Sequence, residues 1–132
     1  METDKKTILV VEDELGIREL LKFILEKAGY RVLVADDGLK AVVCIQEKSP
    51  DMILLDVMLP GIDGIEVCRQ VRSDPEVAHI PILMLTAKDP PASLETGLKQ
   101  GADDYMIKPF EPEKVKSRVA ALFKRCSRGR LL

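Results

Sequence analysis

Polar residues that could do chemistry stand at the carboxyl ends of four short apolar runs. If these runs are neighbouring parallel strands, three carboxylates, a hydroxyl and an ammonium group meet at one edge of one sheet. Such a set of groups suits a divalent cation together with a phosphoryl group. The residues are Glu12 and Asp13 after the first run, Asp56 after the second, Thr86 after the third and Lys108 after the fourth.

The three carboxylates could not share a site as bare anions. Two charges about 4 Å apart repel by roughly 4 kcal/mol at an effective dielectric near 20. A divalent cation removes this cost, and oxygen ligands favour magnesium. A carboxylate such as Asp56 can also attack phosphorus and form an acyl phosphate. Plainer roles exist, since Asp13, Asp63 and Thr86 could cap helices and Lys108 could be a surface charge, but their joint placement favours a site.

The elements that must position these residues alternate along the chain. Short β-branched or aliphatic runs alternate with longer segments of helical period, which predicts βαβ units and a parallel sheet. Five such units can be counted. Pro90 and Pro91 can begin but not continue a helix, so the fourth helix is predicted to be short, near residues 92–100. The first helix shows an apolar stripe formed by Ile17, Leu20, Leu21, Ile24, Leu25 and Ala28.

Composition limits the class of protein. The 132 residues are 46% hydrophobic and 32% charged, which predicts a single globular domain with a real core. The net charge of −2 does not indicate DNA or membrane binding. Three cysteines without metal-ligand spacing indicate a reduced compartment, and no apolar run is long enough for a signal peptide or a membrane span. We therefore expect a cytoplasmic protein.

Four motifs, in order, carry a resemblance to a known family. They are Val-Glu-Asp-Glu at 11–14, Leu-Leu-Asp-Val-Met-Leu-Pro-Gly-Ile-Asp-Gly at 54–64, Leu-Thr-Ala-Lys at 85–88, and Gly-Ala-Asp-Asp-Tyr-Met-Ile-Lys-Pro-Phe at 101–110. The chain resembles the response-regulator receiver domains of bacterial two-component signalling over residues 7–125. Residues 1–6 are then a flexible N-terminus, and residues 126–132 are a basic tail or the start of a linker.

The resemblance implies both a fold and a site. The fold is a doubly wound, flavodoxin-like α/β sandwich of three layers, with five parallel strands in the order 2-1-3-4-5. Asp56 is the phosphoacceptor, and Mg²⁺ is held by Asp13, Asp56 and the backbone carbonyl of Met58, with Glu12 acting through water. Thr86 and Lys108 contact the phosphoryl oxygens, and the peptide bond between Lys108 and Pro109 is cis.

The resemblance also implies partners and a switch. The phosphoryl donor is a phosphohistidine on a sensor histidine kinase or a phosphotransfer protein, since the single histidine, His79, lies in a loop. Thr86 and Tyr105 change position on phosphorylation and reshape the face made by the fourth helix, fifth strand and last helix for a downstream effector. Asp103, Asp104 and Arg118 are similar to residues used for dimerisation, although exposed charges also simply solvate a surface.

Three other functions compete with this interpretation. A flavin or nucleotide binder of similar fold needs a phosphate loop after the first strand, where Glu12, Asp13 and Glu14 would repel phosphate. A magnesium-dependent phosphatase with an aspartyl nucleophile usually has a second acid two residues later, and here that residue is Met58. A receiver-like domain that only binds other proteins is the third. We expect a signalling domain that catalyses only its own phosphotransfer and dephosphorylation.

Overall fold

Five parallel strands form one sheet, ordered β2-β1-β3-β4-β5, in a computed structural model that describes residues 5–86, 99 and 101–131. Of residues 127–131 it describes the backbone alone. The strands are β1 (Thr7–Val11), β2 (Arg31–Ala35), β3 (Met52–Asp56), β4 (Ile82–Thr86) and β5 (Asp104–Ile107). The strand order and the parallel pairing are those predicted.

Helices cover both faces of the sheet. They are α1 (Leu15–Lys27), α2 (Gly38–Lys48), α3 (Gly64–Ser73) and α4 (Pro112–Leu131). Because side chains alternate along a strand, Ile8 and Val10 pack with α1 and α4, whereas Leu9 and Val11 pack with α2 and α3. Strands β3 and β4 are buried along their whole length, as parallel strands between two helical layers should be. The predicted three-layer fold is confirmed.

Aspartates fix the starts of two helices. The side chain of Asp37 accepts a hydrogen bond from the backbone N–H of Lys40 and caps α2, and Asp63 accepts one from Glu66 and caps α3. Residue Glu14 occupies the cap position of α1 but makes no side-chain cap hydrogen bond. The capping role considered for Asp63 is therefore the one observed, and Asp13 does not take it.

The structure differs from the sequence prediction along α1. Leu20 and Ala28, which the apolar pattern places on one stripe, are exposed, Leu20 to 45%, because the buried residues of this helix are Leu21, Ile24 and Leu25. The last helix continues to Leu131, and the Arg125 guanidinium donates to the carbonyl of Asp103 at 2.6 Å.

Other predictions fall largely outside the described residues. The short helix near residues 92–100 and most of the predicted flexible N-terminus are among them. Within the described part of the chain, no helix combines the length and apolar character needed to cross a membrane.

Candidate functional site

The register of the sheet brings the predicted polar residues to one edge. Asp56 ends β3 and pairs with Leu85 of β4, and Thr86 ends β4 and pairs with Ile107 of β5. The backbone N–H of Lys108 then donates to the carbonyl of Thr86 at 2.8 Å. Glu12 directly follows β1, whose neighbour in the sheet is β3. The carboxyl ends of four strands therefore deliver the site.

Three carboxylates form a cluster at this edge. One oxygen atom from each of Glu12, Asp13 and Asp56 lies within 4.8 Å of the others. Glu12 and Asp56 are buried, at 0% and 4% exposure, whereas Asp13 is exposed and faces solvent at the mouth of the cluster. The arrangement is a concentration of negative charge that opens on one side.

The ammonium group of Lys108 lies between two of these carboxylates. Its Nζ is 2.9 Å from Asp56 Oδ2 and 2.6 Å from Glu12 Oε1. The first contact is a hydrogen bond, but the second has only the distance of an ion pair, because the geometry around Oε1 is not that of a hydrogen bond. The peptide bond between Lys108 and Pro109 is cis.

Burial and the contact between opposite charges shift the pKa values of Glu12 and Lys108 in opposite directions. Burial raises the pKa of Glu12 to about 6, although the contact with the Lys108 ammonium and the hydrogen bond from the backbone of Glu14 lower it. Burial alone would lower the pKa of Lys108, but the contacts with Glu12 and Asp56 outweigh it, so that pKa is raised. The lysine stays charged, and Glu12 takes up a proton closer to neutral pH than an ordinary glutamate does.

The carboxylate of Asp56 is held from two sides. Oδ1 accepts a hydrogen bond from the backbone N–H of Met58 at 3.0 Å, and Oδ2 accepts one from Lys108. The side chain of Met58 is 70% exposed, so this residue takes part through its backbone. Gly64 lies so close behind that a Cβ atom there would collide with the backbone carbonyl of Asp56. The site needs glycine at this position.

The hydroxyl of Thr86 is buried and unpaired among the described residues. Thr86 is 1% exposed, and its Oγ1 makes no hydrogen bond with any described residue. A buried polar atom of this kind usually costs about 1–3 kcal/mol. Such a group at the end of the strand next to Asp56 is suited to bond an oxygen atom that arrives with a ligand.

The residues of the predicted output face make contacts within the chain. The Asp103 carboxylate accepts hydrogen bonds from Arg72 and from the backbone of Ile82, both at 2.8 Å. Arg118 is 3.2 Å from both carboxylate oxygens of Asp104 and also donates to the carbonyl of Tyr105. The Tyr105 ring is half-buried against the core cluster under α2 and α3.

Two arginines that the sequence reasoning missed also contribute. Arg18 donates from Nη1 to the backbone carbonyls of Glu12 and Asp13. Arg72 donates to the carbonyls of Gly101, Ala78 and Ile80 as well as to Asp103. Arg18 could have been predicted, because it is an arginine five residues after Asp13 at the start of a helix. Arg72 contacts residues about 30 positions away in the chain, so no local sequence spacing indicates its role.

The residues present fit a hard divalent cation. All three side chains of the cluster offer carboxylate oxygens, which magnesium prefers, and Asp13 is exposed to solvent, from which the cation can keep water ligands. A dication would also compensate the three negative charges, which Lys108 alone cannot neutralise.

Fold and site together define a two-component signalling domain, and the chain belongs to the response regulator receiver domain family, whose profile matches residues 8–120. The function of this family is phosphorylation-dependent signalling.

Relatives support this assignment. The chain is 52% identical over 120 residues to the alkaline phosphatase synthesis transcriptional regulatory protein PhoP of Bacillus subtilis, covering 91% of this chain and 49% of that protein. It is 43% identical over 125 residues to the DNA-binding response regulator MtrA of Mycobacterium tuberculosis, covering 95% of this chain and 54% of that protein. The chain thus spans about half the length of these curated relatives.

Solved structures show the same fold. The chemotaxis response regulator CheY4 of Vibrio cholerae superposes with a TM-score of 0.85 at 33% identity, covering 89% of this chain and 98% of that chain. The receiver domain of the Francisella response regulator 1452 gives 0.82 at 34% identity, with 92% and 98% coverage.

Proposed function

We propose that Asp56 accepts a phosphoryl group and that the phosphorylated domain then changes its output face. The observation that carries this proposal is the difference between two buried groups at the same edge of the sheet, the carboxylate of Asp56 and the hydroxyl of Thr86. A buried carboxylate is held by Met58 and Lys108, while a buried hydroxyl on the neighbouring strand makes no hydrogen bond with any residue that the structure describes. Groups arranged in this way stabilise a phosphoryl group that is absent from the resting protein.

The transfer step uses the carboxylate as nucleophile. An oxygen of Asp56 attacks phosphorus, the N–P bond of a phosphohistidine breaks, and the imidazole leaves with the bonding electron pair. The donor belongs to a sensor histidine kinase or phosphotransfer protein. His79 is exposed in the loop before β4, and the length of that strand, about 16 Å, separates it from the site.

Mg²⁺ is the proposed cofactor, with Asp13, Asp56 and the Met58 carbonyl as direct ligands and Glu12 acting through water. When bound, it supplies charge neutralisation for the carboxylates and the phosphoryl oxygens. Lys108 contributes a second positive charge that is already in contact with Asp56 Oδ2. The same constellation would support hydrolysis of the acyl phosphate, so the domain catalyses only its own phosphorylation and dephosphorylation.

The signal needs more than one contact. A hydrogen bond from Thr86 to a charged phosphoryl group contributes about 1.5–3 kcal/mol, whereas a shift from 1:99 to 99:1 requires about 5.5 kcal/mol. Lys108 and a repositioned Tyr105 ring are proposed to supply the remainder of this free energy.

Tyr105→Ala should leave phosphorylation intact but weaken phosphorylation-dependent partner binding. Unchanged partner binding would show that the ring only packs against the core.

The phosphorylated domain is proposed to act on a downstream effector domain or protein. Residues 7–125 are proposed to make no direct contact with DNA, and the location is proposed to be cytoplasmic.

Dimerisation through the face that carries Asp104 and Arg118 is a further part of the proposal. Asp103 is the weaker candidate, because Arg72 and Ile82 already occupy its carboxylate. Sedimentation with and without beryllofluoride tests this, and a monomer in both states at high concentration would contradict it.

Beryllofluoride binding tests the proposed site itself. It is a phosphoryl mimic that attaches to a carboxylate, and ¹⁹F NMR reports its bound signal. We expect a bound signal that requires both Mg²⁺ and Asp56 and that is lost in Asp56→Asn. A domain that gives no signal with Mg²⁺ present would favour the alternative, a module that binds partners without phosphorylation.

A further inference from the structure

Arg18 connects α1 to the backbone of the acidic loop. Its guanidinium Nη1 is 2.9 Å from the carbonyl oxygen of Glu12 and 3.4 Å from that of Asp13. Side chains on a helix tilt towards its N-terminus, so an arginine in the first turns of α1 reaches back over the loop that precedes the helix. The contact is therefore built into the geometry of the β1-to-α1 connection.

The two loop residues are held to different degrees. Glu12 is fixed by its backbone N–H, which donates to Ala35 at 3.1 Å, and by its Oε2, which accepts from the backbone of Glu14. Asp13 is exposed, and Arg18 holds it by a longer hydrogen bond at the backbone. The orientation of the Asp13 carboxylate towards Asp56 thus depends on a loop that Arg18 restrains.

We infer that Arg18 is a positioning residue for the metal site. It holds the Glu12–Asp13 backbone so that both carboxylates face Asp56, and in this way it sets the affinity for Mg²⁺. The inference rests on the proposed function, because it assumes that Mg²⁺ binds at this cluster. Arg18 touches neither the cation nor the phosphoryl group and acts through Glu12 and Asp13.

The charge of Arg18 and its positioning role predict opposite changes in Mg²⁺ affinity when the residue is removed. A guanidinium group repels a dication, so on charge alone its removal would tighten Mg²⁺ binding. Loss of positioning acts in the opposite direction, since removing residues that orient metal ligands typically weakens binding by about 10–100-fold. Arg18 acts on backbone carbonyls rather than on the ligand atoms, so we expect the lower end, about tenfold.

Calorimetric titration with Mg²⁺ separates the two effects. We compare the wild-type domain with Arg18→Ala, Arg18→Lys and the matched control Lys22→Ala, which removes one positive charge one turn further along α1. The expected result is a Kd raised about tenfold in Arg18→Ala, partly restored in Arg18→Lys, and unchanged or slightly lowered in Lys22→Ala. An Arg18→Ala variant that binds as tightly as wild type, or more tightly, overturns the inference.

A measurement without metal tests the same restraint. Hydrogen exchange of the backbone amides of residues 12–14 should be faster in Arg18→Ala than in wild type when Mg²⁺ is absent, whereas exchange in β3 should not change. Equal exchange at residues 12–14 in the two proteins counts against the inference.

Phosphorylation kinetics supply the last readout. With a small phosphodonor, the Mg²⁺ concentration for half-maximal rate should rise about tenfold in Arg18→Ala, while the rate at saturating Mg²⁺ should stay within about twofold of wild type. A reduced maximal rate with unchanged half-saturation would overturn the positioning role. A wild-type domain that binds no Mg²⁺ would overturn the proposed function itself, and the inference with it.

Discussion

The buried hydroxyl of Thr86 shows how a single residue prepares the protein for its ligand. It makes no hydrogen bond within the described part of the chain, and a buried hydroxyl in that condition lowers the stability of the resting state. The same hydroxyl can bond a phosphoryl oxygen, so part of the cost is recovered only on phosphorylation. This difference between the two states is what a switch residue must provide.

Replacing Thr86 by valine should therefore stabilise the resting protein. The two side chains have nearly the same shape, and the change removes the unpaired polar atom. We expect the free energy of unfolding without Mg²⁺ to rise by about 1 kcal/mol in urea titrations, while the beryllofluoride-induced change in partner binding is lost. Thr86→Ser is the control that keeps the hydroxyl. Lower stability of the valine variant would show that the hydroxyl is satisfied in solution.

Lys108 stabilises the unphosphorylated protein, whereas the buried hydroxyl of Thr86 destabilises it. Lys108→Met leaves Glu12 and Asp56 buried without their shared cation, and we expect a loss of about 3 kcal/mol in the free energy of unfolding at pH 7. Lys116→Met is the control, because its ion pair with Glu113 is exposed and should contribute less than about 1 kcal/mol.

The effect of Lys108→Met should depend on pH in a defined direction. The pKa of Glu12 is already raised from 4.5 to about 6 in the folded protein, so the folded state binds this proton more tightly than the unfolded state does. This group therefore adds to stability as the pH falls from above 6 towards 4.5. Lys108→Met removes a contact that lowers this pKa, so the pKa rises further in the variant, the variant gains more on acidification than the wild type, and its destabilisation should shrink between pH 7 and pH 5. A loss that is constant or grows over this range would contradict the assignment.

At the scale of elements, the end of β3 and the start of α3 are in direct contact. Gly64→Ala would place a methyl group against the backbone of Asp56, so either the helix or the strand end must shift. We expect a loss of about 2–3 kcal/mol in stability and slower phosphorylation. In Gly16→Ala, where the new Cβ meets nothing within 4 Å, stability should be equal or higher. Equal behaviour of the two variants would exclude the contact.

Much of the fold follows from local pattern. Apolar runs predicted the strands, and Asp63 was a candidate helix cap, because capping is local chemistry. The strand order came from the family resemblance rather than from periodicity. The length of α4 did not follow from local pattern, although Lys124 and Arg125 are good helix formers and Arg125 bonds to Asp103.

The site was predictable in part for the same reason. In a parallel sheet the carboxyl ends of all strands lie at one edge. Because each stands at the end of a strand, sequence position alone predicts that four residues lie close together: Glu12, Asp56, Thr86 and Lys108. The engagement of Asp103 by Arg72 was not predictable, because it depends on how α3 packs beside β4 and β5. Long-range ion pairs of this kind have no fixed spacing.

At the scale of the whole molecule, Mg²⁺ binding should stabilise the fold. A ligand that binds only the folded state at 100 times its Kd contributes about 2.7 kcal/mol, which for a domain of this size corresponds to a rise in Tm of roughly 8–12 °C. Asp13→Asn should lose most of this rise while unfolding at a similar Tm without Mg²⁺, since Asp13 is exposed. An equal rise in the variant would place the cation elsewhere.

The most direct test is the intact mass of the domain after incubation with a small-molecule phosphodonor and Mg²⁺. We predict that the wild-type protein gains the mass of one phosphoryl group, that the gain is lost on chelation of Mg²⁺, and that Asp56→Asn gains nothing under the same conditions. A wild-type protein that remains unmodified, or an Asp56→Asn variant that is phosphorylated as fast as wild type, would contradict the assignment of Asp56 as phosphoacceptor.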